Sequence, residues 1–146
     1  MSKSEDEASG VCFRVERAMR SSPGSIFDAW TKHFDTWFAR PGAIAMEATV
    51  GRPYWFDVEH DGAHYSHYGL FLAVEEPHLI ELTWVTGRNG TDGAETVVRV
   101  ELDAFEGGTY VRLSHGGFYD EAAAARHRDS WPGILERLDE RLTPEG

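Results

Sequence analysis

The sequence predicts an α+β domain, an antiparallel sheet with one face covered by a single long helix at the C-terminal end. Three observations carry this. From residue 43 to 118, apolar residues recur at every second position in runs separated by Gly, Pro, Asn and Asp, the period of half-buried strands. From Asp120 to Leu142 the period changes, and Trp131, Ile134, Leu135, Leu138 and Leu142 form one helical stripe. Ahead of both, a lone strand leads into a Ser-Ser-Pro helix start at Ser21-Ser22-Pro23. An antiparallel sheet needs cover on one face, and only the last helix is long enough to supply it.

The elements follow in order. In Val11 to Met19, Val11, Phe13 and Val15 alternate with Arg14 and Glu16, which predicts a strand. Ser22 is placed to cap free amides and Pro23 to occupy the first helical turn, where its missing N–H leaves nothing unpaired. Ile26, Phe27, Trp30, Phe34, Trp37 and Phe38 then recur at helical spacing, giving two short helices before Pro41-Gly42. Ala43 to Thr49 is a weak strand. Tyr54 to Glu59 and Tyr65 to Val74 are strands joined at Asp61-Gly62, a hairpin turn signal. In the second of these, Tyr68, Leu70, Leu72 and Val74 are taken as the apolar face. Leu79 to Val85, Glu95 to Phe105 and Thr109 to Gly117 complete six strands, with turns at Glu76-Pro77-His78, Gly87–Gly93 and Gly107-Gly108. Asp120 is a cap for the last helix, and Pro132 inside it predicts a kink or restart near Ser130-Trp131.

The chain has 146 residues, 41% hydrophobic and 27% charged, which suits one globular domain over 11–142 with tails at 1–10 and 143–146. A net charge of −11 argues against nucleic acid and anionic membranes, which recruit Lys and Arg. No segment reaches the ~20 apolar residues of a membrane span. Residues 1–10 lack the apolar core of a signal peptide, so the expected location is cytoplasmic. The single cysteine, Cys12, excludes an internal disulfide and a cysteine zinc site, and reads as an inert strand residue. P-loop, GxGxxG and GxSxG patterns are absent, and the glycine-rich loop at 87–93 precedes no helix, so it is not a phosphate cradle.

Eighteen aromatic rings in one small domain suggest an aromatic-lined interior. Trp30, Trp37, Phe38, Phe56, Tyr68, Phe71, Trp84 and Trp131 are candidates for a pocket wall, the alternative being plain core packing. Tyr68, Trp84 and Trp131 stand out because their rings also offer a hydrogen bond. His115 shares a strand face with Val111 and Leu113, so it is expected to point inward, either as a ligand contact or as a satisfied core histidine. Ser114-His115 is not a nucleophilic pair, since strand neighbours face opposite ways. His60, His64 and His67 cluster around a turn, but their spacing matches no metal motif, and no metal or cofactor is expected. Glu47 and Glu95 cannot be oriented from the sequence, and the acidic groups of the last helix read as a solvated face.

This order of elements resembles the START-like (SRPBCC) superfamily, and within it the AHSA1-like branch related to the C-terminal domain of the Hsp90 ATPase activator. The residues that carry the resemblance are Ser22-Pro23 with Ile26-Phe27 and Ala29-Trp30; Trp37; Gly51 through Phe56; Gly69, Val74, Pro77, Leu79 and Trp84; Glu95 to Val98; Gly107 to Thr109; His115 to Phe118; and His127 with Ser130-Trp131. It spans residues 11 to 142 and departs at Arg52, where relatives often carry a second glycine. The resemblance implies a helix-grip fold, a curved sheet wrapped around the terminal helix with a cavity between them. It also implies a small hydrophobic or amphipathic ligand held there, with Trp37, Phe38, Phe56, Tyr68, Trp84, His115 and Trp131 as the expected ligand-binding residues. Entry is expected near Pro41-Gly42, Gly87–Gly93 and Phe118-Tyr119. A cyclase, dehydratase or hydrolase acting on a polyketide-like or aromatic substrate is the first alternative, and a co-chaperone-like interaction module the second. A homodimer is compatible with either.

Overall fold

The computed structural model describes residues 11–88 and 90–143. The expected tail at 1–10, and all but Thr143 of the one at 143–146, lie outside them. Seven antiparallel strands form one curved sheet in the order β1-β7-β6-β5-β4-β3-β2. They are β1 (Val11–Met19), β2 (Ile44–Ala45), β3 (Pro53–His60), β4 (Ala63–Glu75), β5 (Leu79–Trp84), β6 (Thr96–Phe105) and β7 (Gly108–Phe118). Helix α1 (Pro23–Thr31) and a single 3-10 turn (Phe34–Thr36) follow β1, and helix α2 (Glu121–Leu142) closes the chain.

The local chemistry is as the sequence implies. The Ser22 hydroxyl accepts from the Ser25 amide at 3.2 Å, and Asp120 caps α2 by accepting from the Ala123 amide at 2.9 Å. At the β3–β4 turn, Asp61 and Gly62 both take positive φ, at 52° and 80°, as a two-residue hairpin turn requires. At the β6–β7 turn the positive-φ pair is Glu106-Gly107, one residue earlier than expected. Gly108 already belongs to β7 and lies so close to β1 that a Cβ there would come within 2.1 Å of the Met19 carbonyl oxygen. Helix α2 runs through Pro132 without restarting. Pro132 is exposed, so the carbonyl it leaves unpaired one turn earlier can be hydrated.

The core lies between the concave face of the sheet and the two helices. Val98, Val100 and Leu102 of β6 and Val111 and Leu113 of β7 meet Trp131, Leu135 and Leu138 of α2. Strand β4 differs from the expected phase. Phe56 of β3 is fully buried and pairs with His67, so His67 and Phe71 face inward while Tyr68, Leu70 and Leu72 face outward. The sequence is ambiguous here because Leu70, Phe71 and Leu72 put apolar side chains on both faces, and the register with β3 decides. A bulge between Phe71 and Ala73 then lets Val74 pack against the core.

Candidate functional site

Most of the aromatic residues pack against one another. Trp30, Phe34, Trp37, Phe38, Phe56, Trp84 and Trp131 form one cluster with ring centroids 4.6–6.3 Å apart. The cavity expected between sheet and helix is therefore mostly filled by these rings. What remains is a cavity of about 260 Å³, open to solvent, between β3–β5 and the first half of α2, walled by Phe38, Trp84, Trp131, Val58 and Ile134. Larger grooves exist on the surface, but charged side chains such as Arg137, Glu140 and Arg141, or Lys32, Glu47 and Glu76, line them.

Of the seven expected ligand-binding residues, Phe38, Trp84 and Trp131 reach this cavity. Phe56 is fully buried behind His67, its ring stacked on the imidazole at 4.9 Å. Trp37 is held elsewhere, its indole N–H donating to the Ala29 carbonyl at 2.9 Å. Tyr68 is corrected outright: it is 51% exposed on the outer face of the sheet, opposite Trp55. Of the three expected entrances, only the loop after β5 borders the cavity, through Thr86 and Gly90.

His115 points inward as expected, but it is 0% exposed and does not line the cavity. Its two ring nitrogens are both used. The Trp131 indole N–H, which can only donate, reaches Nδ1 at 3.0 Å, so Nδ1 must be the accepting nitrogen. The proton then sits on Nε2, which donates to the Thr96 hydroxyl oxygen at 2.8 Å, and Thr96 donates onward to the Trp84 carbonyl at 2.5 Å. This chain joins α2, β7, β6 and β5. Burial, reinforced by His127 and His67, holds the His115 pKa well below its ordinary value. His115 is thus a neutral core histidine with no nitrogen left for a ligand.

Three other histidines line the cavity, His60 at its exposed rim and His67 and His127 further in. His67 donates from Nδ1 to the Tyr65 carbonyl at 3.1 Å, and His127 from Nδ1 to the Ala123 carbonyl at 2.9 Å. In each case the carbonyl can only accept, so Nδ1 carries the proton and Nε2 is a lone-pair acceptor. Neither Nε2 has a hydrogen-bond partner among the described residues. Burial pushes the His67 pKa down to about 4 and also lowers that of His127, so both rings are neutral at pH 7. The Trp84 indole N–H finds no acceptor among the described residues, but it is fully buried and does not open on the cavity. His67 and His127 were legible in part. His127, Trp131 and Ile134 lie at i, i+4 and i+7 on α2, and His67 shares the inward phase of Phe71.

Of the three turn histidines, His60 and His67 both line the cavity, His60 from its exposed rim, where it lies 3.3 Å from Asp61, and His64 points away. His67 faces the core, while His64 donates from Nδ1 to Asp57 at 2.8 Å on the outer face, where Arg40 also reaches Asp57. Among the described residues no three metal-ligating side chains come together.

A family model described as activator of Hsp90 ATPase homolog 1-like protein matches residues 20–143. The chain belongs to that family. No curated protein matches it. Solved structures of similar fold include the AHSA1 protein from Silicibacter pomeroyi, 22% identical, covering 93% of this chain and 100% of its own, with a TM-score of 0.77. A Mesorhizobium loti protein is 22% identical over 93% of this chain and 99% of its own, with a TM-score of 0.75. A Chromobacterium violaceum protein is 15% identical over 88% and 94%, with a TM-score of 0.74. At these identities the likeness to other AHSA1-like chains establishes the helix-grip architecture alone.

Proposed function

We propose that this AHSA1-like protein binds a small, largely apolar molecule in the cavity between β3–β5 and α2. The observation that carries the reading is the combination of apolar walls with two accepting imidazole nitrogens, Nε2 of His67 and Nε2 of His127, that have no hydrogen-bond partner among the described residues. Apolar walls with a few polar groups are the usual form of a small-molecule site. The volume of about 260 Å³ sets an upper size. An apolar cavity of about 150 Å³ holds benzene, so one or two rings fit here and a long lipid does not. Binding draws on removing apolar surface from water, at about 25 cal/mol per Å² before entropy costs.

The test is a heteronuclear NMR titration with neutral one- and two-ring aromatics. Shifts should concentrate on the side chains of His67, Trp84, His127 and Trp131, and Ile134→Trp, which fills the cavity, should abolish them. Shifts scattered over the surface, or undiminished in the filled variant, refute the reading.

A second reading, an interaction module, is favoured by the outer face of β3 and β4. Trp55, Tyr68, Leu70 and Leu72 are all 40–51% exposed there, and an exposed apolar stripe of this kind suits a protein partner. With a second copy as that partner, sedimentation would show a dimer that Leu70→Asp dissolves.

A further inference from the structure

The unpartnered atoms of the cavity carry a polarity that narrows the ligand beyond "small and apolar". On the cavity reading just given, we infer that the ligand is a neutral planar aromatic alcohol, a phenol of one or two rings.

The argument begins with charge. Among the described residues, no Lys, Arg, Asp or Glu side chain lines the cavity. A carboxylate, phosphate or ammonium group seated against its apolar walls would lose hydration with no opposite charge to replace it. The part of the ligand that enters is therefore neutral. Shape comes next. The wall is built of rings, with Phe38 and Trp131 near-parallel at 6.2 Å and Trp84 tilted against Trp131 at 5.5 Å. Flat faces of this kind favour a flat guest over a branched aliphatic one.

Hydrogen-bond polarity decides the functional group. His67 on the sheet side and His127 on the helix side each present an accepting Nε2, because each Nδ1–H is committed to a backbone carbonyl. A guest that meets them must donate. Trp84, whose ring stands edge to face with His67 at 5.2 Å, adds no donor, since its indole N–H is sealed from the cavity. A carbonyl or ether can only accept and leaves the imidazoles unpaired. A hydroxyl donates, so an aromatic hydroxyl is the smallest neutral group on a flat ring that suits an accepting imidazole. The cavity's other polar side chains do not upset this, since His60 stands at the exposed rim beside Asp61, Ser130 already donates to the Arg126 carbonyl, and the Tyr65 and Thr86 hydroxyls can turn either way.

The test is calorimetric titration at pH 7 with four probes of matched shape: 2-naphthol, 2-methoxynaphthalene, naphthalene and 2-naphthoate. The expected order places 2-naphthol at least about tenfold tighter than the ether or the hydrocarbon, the range for one satisfied against unsatisfied buried group, with 2-naphthoate weakest. In His67→Phe the preference for 2-naphthol over 2-methoxynaphthalene should fall at least about fivefold while naphthalene affinity holds. If that variant does not fold, His127→Phe serves the same purpose. Equal binding of the three neutral probes, or tightest binding of 2-naphthoate, overturns the phenol assignment and leaves the cavity reading in place. Failure of all four to bind overturns both.

Discussion

Replacing His115 by alanine separates a structural histidine from a ligand contact. The imidazole accepts from Trp131 at 3.0 Å and donates to Thr96 at 2.8 Å, and its ring packs on Phe118 at a centroid distance of 4.4 Å. Deletion strands the Trp131 indole N–H in the core, which costs about 1–3 kcal/mol. Thr96 loses less, because its hydroxyl still donates to the Trp84 carbonyl. The void left among Phe13, Phe118 and Trp131 adds a further penalty of about 2 kcal/mol or more. The total is about 3–5 kcal/mol. At roughly 3 °C per kcal/mol for a domain of this size, Tm should drop by about 10–15 °C. Differential scanning calorimetry measures the drop, and a parallel titration with a neutral aromatic measures affinity in the folded variant, which should be unchanged.

The pH dependence has a definite sign. The folded state holds His115 neutral, whereas the unfolded chain protonates it near the ordinary value of 6.5. Its contribution is fully present above about pH 6.5 and is lost as pH falls, by up to about 1.4 kcal/mol per unit. The gap between parent and His115→Ala should therefore narrow in acid. A Tm within a few degrees of the parent's, together with lost ligand binding, would refute the structural assignment.

Two further substitutions probe how the grip is held. The Asp139 carboxylate of α2 accepts from the amides of Arg20 and Ser21 and from the Ser21 hydroxyl at 2.7 Å. Asp139→Ala should lower Tm by about 6–12 °C, from about 2–4 kcal/mol of lost charge-assisted bonds. Burial alone raises this carboxyl, but the donors of Ser21 and Arg20 outweigh it and hold the pKa below 3.8. The contribution is thus present above pH 3.8 and disappears as pH falls through the lower folded value, so melts of parent and variant should converge only in strong acid. Gly69→Ala should raise the fraction unfolded at low urea, since a Cβ there would stand 2.4 Å from both the Thr83 carbonyl and hydroxyl oxygens. Those atoms are fixed by Tyr54, whose hydroxyl donates to the carbonyl at 2.7 Å, and by the Leu70 amide, which donates to the hydroxyl at 2.8 Å. An unchanged urea midpoint would show that β4 and β5 can separate there.

The fold was legible because each element carries its own periodicity and punctuation. Ser22-Pro23, Asp61-Gly62 and Asp120 do in the structure what their chemistry dictates. The site was less legible, for two physical reasons. Local alternation cannot fix the phase of a strand that is apolar on both faces, so Tyr68 was placed inside and His67 left at a turn, until pairing with Phe56 reversed them. Aromatic content, moreover, does not say whether rings line a space or fill it. Phe34, from the 3-10 turn, lies 4.6 Å from Phe56 and 6.3 Å from Trp84, so it occupies the middle of the grip. His115 was correctly turned inward by its phase with Leu113, but only the indole of Trp131, sixteen residues on, shows that its nitrogens are already taken.

The two inner cavity histidines, His67 and His127, are not what packing alone would choose. Each Nε2 opens on the cavity, where water can reach it, so the cost falls short of the roughly 1–3 kcal/mol of a sealed acceptor, and an aliphatic side chain of similar size would avoid even that. His127 permits a clean test. Its Nδ1–H donates to the Ala123 carbonyl, which lies one helical turn back within α2, so removing the imidazole orphans no backbone group. Leucine is also the better helix former by a few tenths of a kcal/mol. His127→Leu should therefore leave the protein at least as stable, with a gain of up to about 1 kcal/mol or about 3 °C in Tm, and at the same time weaken the preference for a hydroxylated guest. Undiminished stability with lost discrimination is what a residue kept for binding should show. A fall in Tm would mean that His127 serves the fold, through its contacts with His115 and Phe118 at 5.0 and 4.8 Å, and would remove one of the two acceptors on which the phenol assignment stands.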